Sequence, residues 1–189
     1  LAITGEEKYM SAQTDILSNF TPVNPESAGL EPIPQIGKGW MLITAGAVGG
    51  YNTMTASWGG LGVLWASPVC FAFVRHSRLT YEFIEREACF TLSFFDERYR
   101  AALQYCGAHS GREGDKAAAT GLTPIEVQAG TTAFAEASRI LVCRTLYKSD
   151  IGESGFVDRS ILKSSYADND FHRMYVGRIE SCLERKTQA

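Results

Sequence analysis

Six runs of β-favouring residues, each bounded by glycine, proline or a polar cluster, limit what this 189-residue chain can fold into. They are Trp40–Val48, Tyr51–Ser57, Pro68–Val74, Cys89–Phe94, Arg139–Lys148 and Met174–Ile179. Gly49-Gly50 predicts a hairpin between the first two. Pro68 stands at the first position of its run, where a missing N–H costs least. Phe90, Leu92 and Phe94 alternate with polar residues, which predicts a strand buried on one face only. Leu122–Ile125 and Phe134–Glu136 read as shorter strands.

Helical signals are fewer. Thr80 opens one helix, with Phe83 and Ile84 facing the core. Asp96 suits the cap of a second, running through Cys106 and stopped by Gly107, with Tyr99, Leu103 and Cys106 on one packing stripe. Lys116 lies in a third, ended by Gly121. Asn19–Pro25 reads as irregular chain, Pro32 and Pro34 argue against helix around Ile33, and Ser149–Asp170 reads as a long polar excursion. The expectation is a mainly β chain with a few helices, a closed or half-closed β-barrel rather than a βαβ sheet.

A net charge of −3 gives no sign of a general nucleic-acid or membrane-surface binder, and no apolar run reaches membrane-span length. The first residues lack a charged-then-apolar leader pattern, so the expectation is a cytoplasmic protein. Five scattered cysteines and three distant histidines show no metal-ligand spacing, so no metal is expected. Gly46-x-x-Gly49-Gly50 lacks dinucleotide-loop spacing, and hydrolase and P-loop motifs are missing as well.

Chemistry concentrates between Tyr51 and Ile84. Asn52-Thr53-Met54-Thr55-Ala56-Ser57-Trp58 precedes an apolar run, and Arg75-His76-Ser77-Arg78-Leu79-Thr80 follows it at a helix start. Hydroxyls, backbone amides and arginines so grouped suit an anion such as a phosphate ester. They equally suit turn caps and solvated surface charge, and Glu82 and Glu85 in the helix would compete with an anion.

Four segments in order carry a resemblance: Asn52-x-Met54-Thr55-x-Ser57-Trp58-Gly59, Arg75-x-Ser77-Arg78-x-Thr80-Tyr81, Ser110-Gly111-Arg112-x-x-Asp115-Lys116 and Asp170-x-His172-x-Met174-Tyr175-x-Gly177. Together they resemble the flavin reductase-like family, the flavoredoxin-like branch of the FMN-binding split β-barrels. The resemblance implies a split-barrel domain over residues 33–189, with residues 1–32 as an extension packing on it. It implies FMN as cofactor, with NADH or NADPH as electron donor. Asn52, Thr53, Met54, Thr55, Ser57 and Trp58 would then line the flavin ring, and Arg75, Ser77, Arg78 and Thr80 its phosphate. Ser110 and Lys116 would approach the ring, and His172 is the titratable side chain placed near the nicotinamide. The family pattern usually has Glu where Arg178 stands, which puts any role of that glutamate in doubt. A homodimer is implied, with the N-terminal segment and the 149–170 loop as available contact area.

Two functions compete on this reading, beside a third, a pure flavin-binding or sensory module that passes electrons to nothing. One is an NAD(P)H-dependent flavin reductase, moving hydride from nicotinamide to flavin and passing electrons to flavin or a redox protein. The other is a flavoredoxin-like electron carrier without NAD(P)H activity of its own. Nicotinamide preference, final acceptor and tightness of FMN binding are not encoded in any motif found.

Overall fold

The structure, a computed structural model, describes residues 13–128 and 130–186. The first twelve residues of the expected 1–32 extension therefore lie outside the described residues. Within that segment, β1 (Phe20–Val23) is a strand rather than irregular chain, pairing antiparallel with the end of the last strand. Pro32–Pro34 forms a helical turn continued by a π-turn over Gln35–Gly39. Proline is compatible with a first helical position, where no N–H is needed, so the expectation against helix here fails.

Seven further strands build the main sheet: β2 (Met41–Ala47), β3 (Gly50–Ala56), β4 (Gly59–Leu64), β5 (Ser67–Arg75), β6 (Cys89–Phe94), β9 (Arg139–Asp150) and β10 (His172–Arg185). Their order is β3-β2-β6-β9-β10-β5-β4, and every pairing is antiparallel. A separate hairpin is formed by β7 (Pro124–Gln128) and β8 (Thr131–Phe134). β3 and β4 end the sheet on opposite sides, yet only Ser57 and Trp58 separate them in sequence. The sheet must therefore roll until its two ends meet at that dipeptide. No ladder joins β3 to β4 among the described residues, so the roll is split there rather than closed by pairing.

β10 is the spine. Its first half pairs with β5, its last residues with β1, and its whole length with β9, with irregularities at Val176/Gly177 and Ile179/Ser181. Gly177 is required: a Cβ there would stand 2.8 Å from Phe90 Cζ and 3.0 Å from Cys70 Sγ.

The apolar run after Gly60 is β4, half of a tight hairpin whose turn residues Trp65 and Ala66 both hold positive φ, 50° and 53°. Left-handed backbone in non-glycine residues costs about 1 kcal/mol each. Trp65 recovers part of this by packing edge-on against Tyr147, centroids 6.4 Å apart.

Both faces of the middle strands are covered. Met41, Ile43 and Ala45 of β2 join the cluster inside the roll, while Leu42 packs outward with Leu103, Cys106, Leu122 and Phe134. β6 is likewise buried from Phe90 through Phe94, so the expected solvated face does not exist. Helices α1 (Leu79–Arg86), α2 (Arg100–Ala108), α3 (Lys116–Thr120) and α4 (Ser160–Ser165) decorate the sheet. Asp96 precedes a 3-10 turn at Glu97–Tyr99 without capping it through its side chain. Gly107 lies inside α2 and does not stop it. Its hydrogen lets the helix approach Thr55, 3.2 Å from where a Cβ would be.

Candidate functional site

The turn between β5 and α1 is held from outside. The Arg75 guanidinium donates to the carbonyls of Asp170 and Ser165, both at 2.8 Å, and lies 3.4 Å from the Asp168 carboxylate. Ser77 donates its hydroxyl to Asp170 Oδ2 at 2.5 Å and its N–H to Oδ1 at 3.3 Å. Arg78 sits at the N-cap of α1 and donates one N–H to the Gly107 carbonyl at 2.8 Å. That uses one of the five donors of its guanidinium. Glu82 and Glu85 do not compete for an anion at this turn: Arg112 pairs with Glu82, while Lys148, Arg173 and Tyr175 surround Glu85. Burial acts against the Glu85 charge, but those hydrogen bonds hold its carboxyl below the usual range.

β3 crosses beside this turn. Asn52 is buried and donates from Nδ2 to the fully buried Thr80 hydroxyl, 2.6 Å away. The Thr53 hydroxyl pairs with that of Thr44 at 2.8 Å, and the Thr55 hydroxyl reaches the Leu103 carbonyl. The loop before α3 closes over Asn52 at Gly111. Asp115 caps α3 by accepting from the N–H groups of Ala117 and Ala118. That cap directs Lys116 inward, and it is buried, not a surface lysine: 6% exposed, its ammonium donating to the carbonyls of Cys106 and His109 near the end of α2. Burial, with the nearby Arg78 charge adding, pushes its pKa below the usual lysine range.

On the other side, His172 opens β10 and is 7% exposed. Its Nδ1 lies 3.0 Å from the Tyr166 hydroxyl, and the Trp58 ring packs on it with centroids 5.0 Å apart. Burial first, then the Arg75 charge, push His172 down to about 4. It is neutral at pH 7, so the charge that its ordinary pKa would allow is absent.

Three cavities connect these parts. The first, about 240 Å³, is lined by Thr55, Ser57, Trp58, Arg75 and His172 among others. The second, about 190 Å³, is lined by Asn52, Ser77, Thr80 and Ser110, and shares Met54 and Arg78 with the first. The third, about 260 Å³, contains Thr53 and shares Asn52, Leu79, Gly111 and Lys116 with the second. The three adjoin at these shared residues along one groove face, aromatic at the Trp58 end, with Arg78 between the first two cavities and Lys116 between the second and third. All thirteen residues singled out in the sequence line it; Arg178 is exposed on β10 and lines none of the three.

A family model described as flavin reductase like domain matches residues 33–189. The chain belongs to the flavin reductase-like family. Solved structures similar to this family member include flavoredoxin from Methanosarcina acetivorans, at 19% identity and TM-score 0.63, covering 78% of this chain and 69% of that one. An FMN-binding domain of a flavin reductases-like enzyme from Shewanella baltica OS155 gives 16% identity and TM-score 0.64, covering 88% and 78%. The NADH:FAD oxidoreductase of Streptomyces globisporus C-1027 gives 13% and 0.59, covering 98% and 90%. No curated protein matches the chain.

Sequence reasoning overlooked several partners of this flavin reductase-like groove. Asp170 and Gly111 stand inside the quoted motifs, yet nothing in a motif says that one binds Ser77 or that the other touches Asn52. Tyr166 lies within the polar excursion, and only the fold brings it to His172. Among the described residues, no group of three or more His, Cys, Asp or Glu is placed to hold a metal ion. No helix among them is long and apolar enough to cross a membrane.

Proposed function

We propose that this chain is an FMN-binding oxidoreductase in which NADH or NADPH donates hydride to the flavin. The observation that carries this reading is the row of three adjoining cavities, with Arg78 shared by the first two and Lys116 shared by the second and third. Its donor set suits the cofactor: a guanidinium with unspent N–H groups and a helix start for a phosphate, β3 backbone and Asn52 for a ring edge. The cavities also fall in the size range of small-molecule sites, about 300–1,000 Å³ when joined. When bound, the flavin supplies the hydride chemistry and passes electrons to free flavin or another acceptor.

The chain's own residues then have separable tasks. Arg78, with the first N–H groups of α1, holds the phosphate. Thr80 acts through Asn52, fixing the amide so that its oxygen faces Gly111 and the groove. Lys116, anchored on two carbonyls, brings positive charge to the groove where a reduced ring needs it. His172 and Trp58 form the wall against which a nicotinamide is oriented.

Trp58 also favours a second reading. Its ring already covers His172, where another ring would stack. In that arrangement the protein is a carrier that exchanges electrons with a redox protein. Anaerobic mixing of the FMN-loaded protein with NADH and NADPH separates the two. Prompt bleaching supports the reductase, and indifference to both supports the carrier. A homodimer and a cytoplasmic, reducing setting belong to the same proposal, the latter supported by five free cysteines. Sedimentation equilibrium tests the dimer.

A further inference from the structure

The 151–171 excursion carries an aromatic cluster directed at one atom. Tyr166 stacks on Phe171, centroids 4.9 Å apart and planes 19° from parallel, with Phe156 tilted against both. The Arg75 guanidinium lies over the Tyr166 ring at 5.5 Å. Held from these sides, Tyr166 is 5% exposed, and its hydroxyl meets His172 Nδ1 at 3.0 Å. Trp58 covers the histidine ring as well.

A phenol is a stronger hydrogen-bond donor than an imidazole N–H, and an unprotonated imidazole nitrogen is a stronger acceptor than a phenol oxygen. The bond therefore runs from Tyr166 O–H to Nδ1, which leaves the ring proton on Nε2. Nε2 diverges from Nδ1 and makes no hydrogen bond to any described residue. We propose that Tyr166 is a positioning residue that locks His172 in its Nε2–H form, giving the first cavity one uncharged N–H donor for a carbonyl oxygen. The ligand group it suits is a carboxamide oxygen, such as the nicotinamide presents, while a phosphate is drawn to the charged Arg78. This rests on the oxidoreductase reading only for the ligand; the tautomer stands without it.

The neighbouring charges agree. Arg75 on β5 and Arg78 at the start of α1 disfavour a proton on the ring, as does His76 in the turn between them, while Asp170 on the excursion favours one. Asp170 is occupied by Ser77, and His76 by Asp150 at 2.8 Å. Anions thus have cations to meet elsewhere in the groove, and His172 is left for a neutral acceptor.

Long-range ¹⁵N–¹H spectra of the flavin-free protein read the tautomer directly. The expected result is a single Nε2–H pattern for His172 that persists from pH 8 to pH 5, and a mixture of tautomers in Tyr166→Phe. Nδ1–H in the wild type, or an unchanged pattern in Tyr166→Phe, overturns the proposal, and the wild-type spectrum decides even where the variant folds poorly. Kinetics supply the second arm. His172→Gln keeps an amide N–H near the Nε2 position and should retain a KM for the nicotinamide within about threefold of wild type, whereas His172→Asn should raise it more than tenfold. Equal KM values in the two variants contradict the carbonyl contact. An Nε2–H spectrum in a protein that NAD(P)H does not reduce would refute the reductase reading and leave the tautomer assignment intact.

Discussion

A methyl group added at Gly111 would stand 1.9 Å from Asn52 Oδ1 and 3.0 Å from Leu79 Cδ2. Ordinary contact needs about 3.4 Å, so Gly111→Ala requires a shift of about 1.5 Å from one partner. Asn52 resists, because its amide is buried and tied to Thr80 at 2.6 Å. Breaking that bond would strand buried polar groups at a cost of about 1–3 kcal/mol. Overpacking alone costs about 1–3 kcal/mol as well. The loop can relax outward and trade one cost against the other, so the net loss is expected at about 1–3 kcal/mol. For a chain of this size that lowers Tm by roughly 2–12 °C. Gly111 also belongs to the wall shared by the second and third cavities, so FMN affinity should fall at least tenfold. A double-mutant cycle in urea isolates the contact. Asn52→Ala removes the obstruction, so Gly111→Ala should cost at least about 1 kcal/mol less in that background. Additive losses, or a Gly111→Ala protein as stable as wild type, would refute the close approach.

Other outcomes follow from single features of the structure. Ala66→Gly relieves positive φ in the β4–β5 turn and should raise stability by up to about 1 kcal/mol in chemical denaturation; a loss would contradict the left-handed turn. Gly177→Ala should destabilise by about 1–3 kcal/mol, because Phe90 and Cys70 occupy the space a Cβ needs; thermal melts check this. His172 binds its proton near pH 4 in the folded chain against 6.5 ordinarily, so the unfolded chain holds more protons between those values. Its contribution is complete above pH 6.5 and is lost as pH falls to 4, on the order of 3 kcal/mol. His172→Gln should flatten that part of the stability profile, and an unchanged slope would show that the ring is not buried neutral.

The strand succession was readable because most turns carry glycine or a polar cluster, as at Gly49-Gly50 and Arg75–Arg78. The β4–β5 hairpin escaped notice because Trp65 and Ala66 are not residues that announce a left-handed turn. β6 looked amphipathic from its alternation, but Thr91 and Ser93 are buried too, Thr91 donating to the Thr132 carbonyl at 2.6 Å. A small polar residue with a distant partner is indistinguishable from a solvated one in sequence. β1 was hidden by Pro22 within it and Pro25 just after it, since a strand added to a long neighbour needs little pattern of its own. The groove residues were readable as motifs, but the roll that brings Asn52, Arg78, Lys116 and His172 together depends on pairings between strands far apart in the chain. Tyr166 and Asp170 acquire their roles only through that geometry.

Titration of the flavin-free protein with FMN and, in parallel, with riboflavin probes the groove most directly, followed by quenching of flavin fluorescence in wild type and Arg78→Ala. The two ligands differ only by the phosphate that Arg78 is held to bind. FMN should bind at least tenfold more tightly than riboflavin to the wild type, and that preference should collapse in Arg78→Ala while riboflavin binding changes little. Equal binding of the two flavins by the wild type, or a preference for FMN that survives the loss of Arg78, would contradict the assignment of this groove.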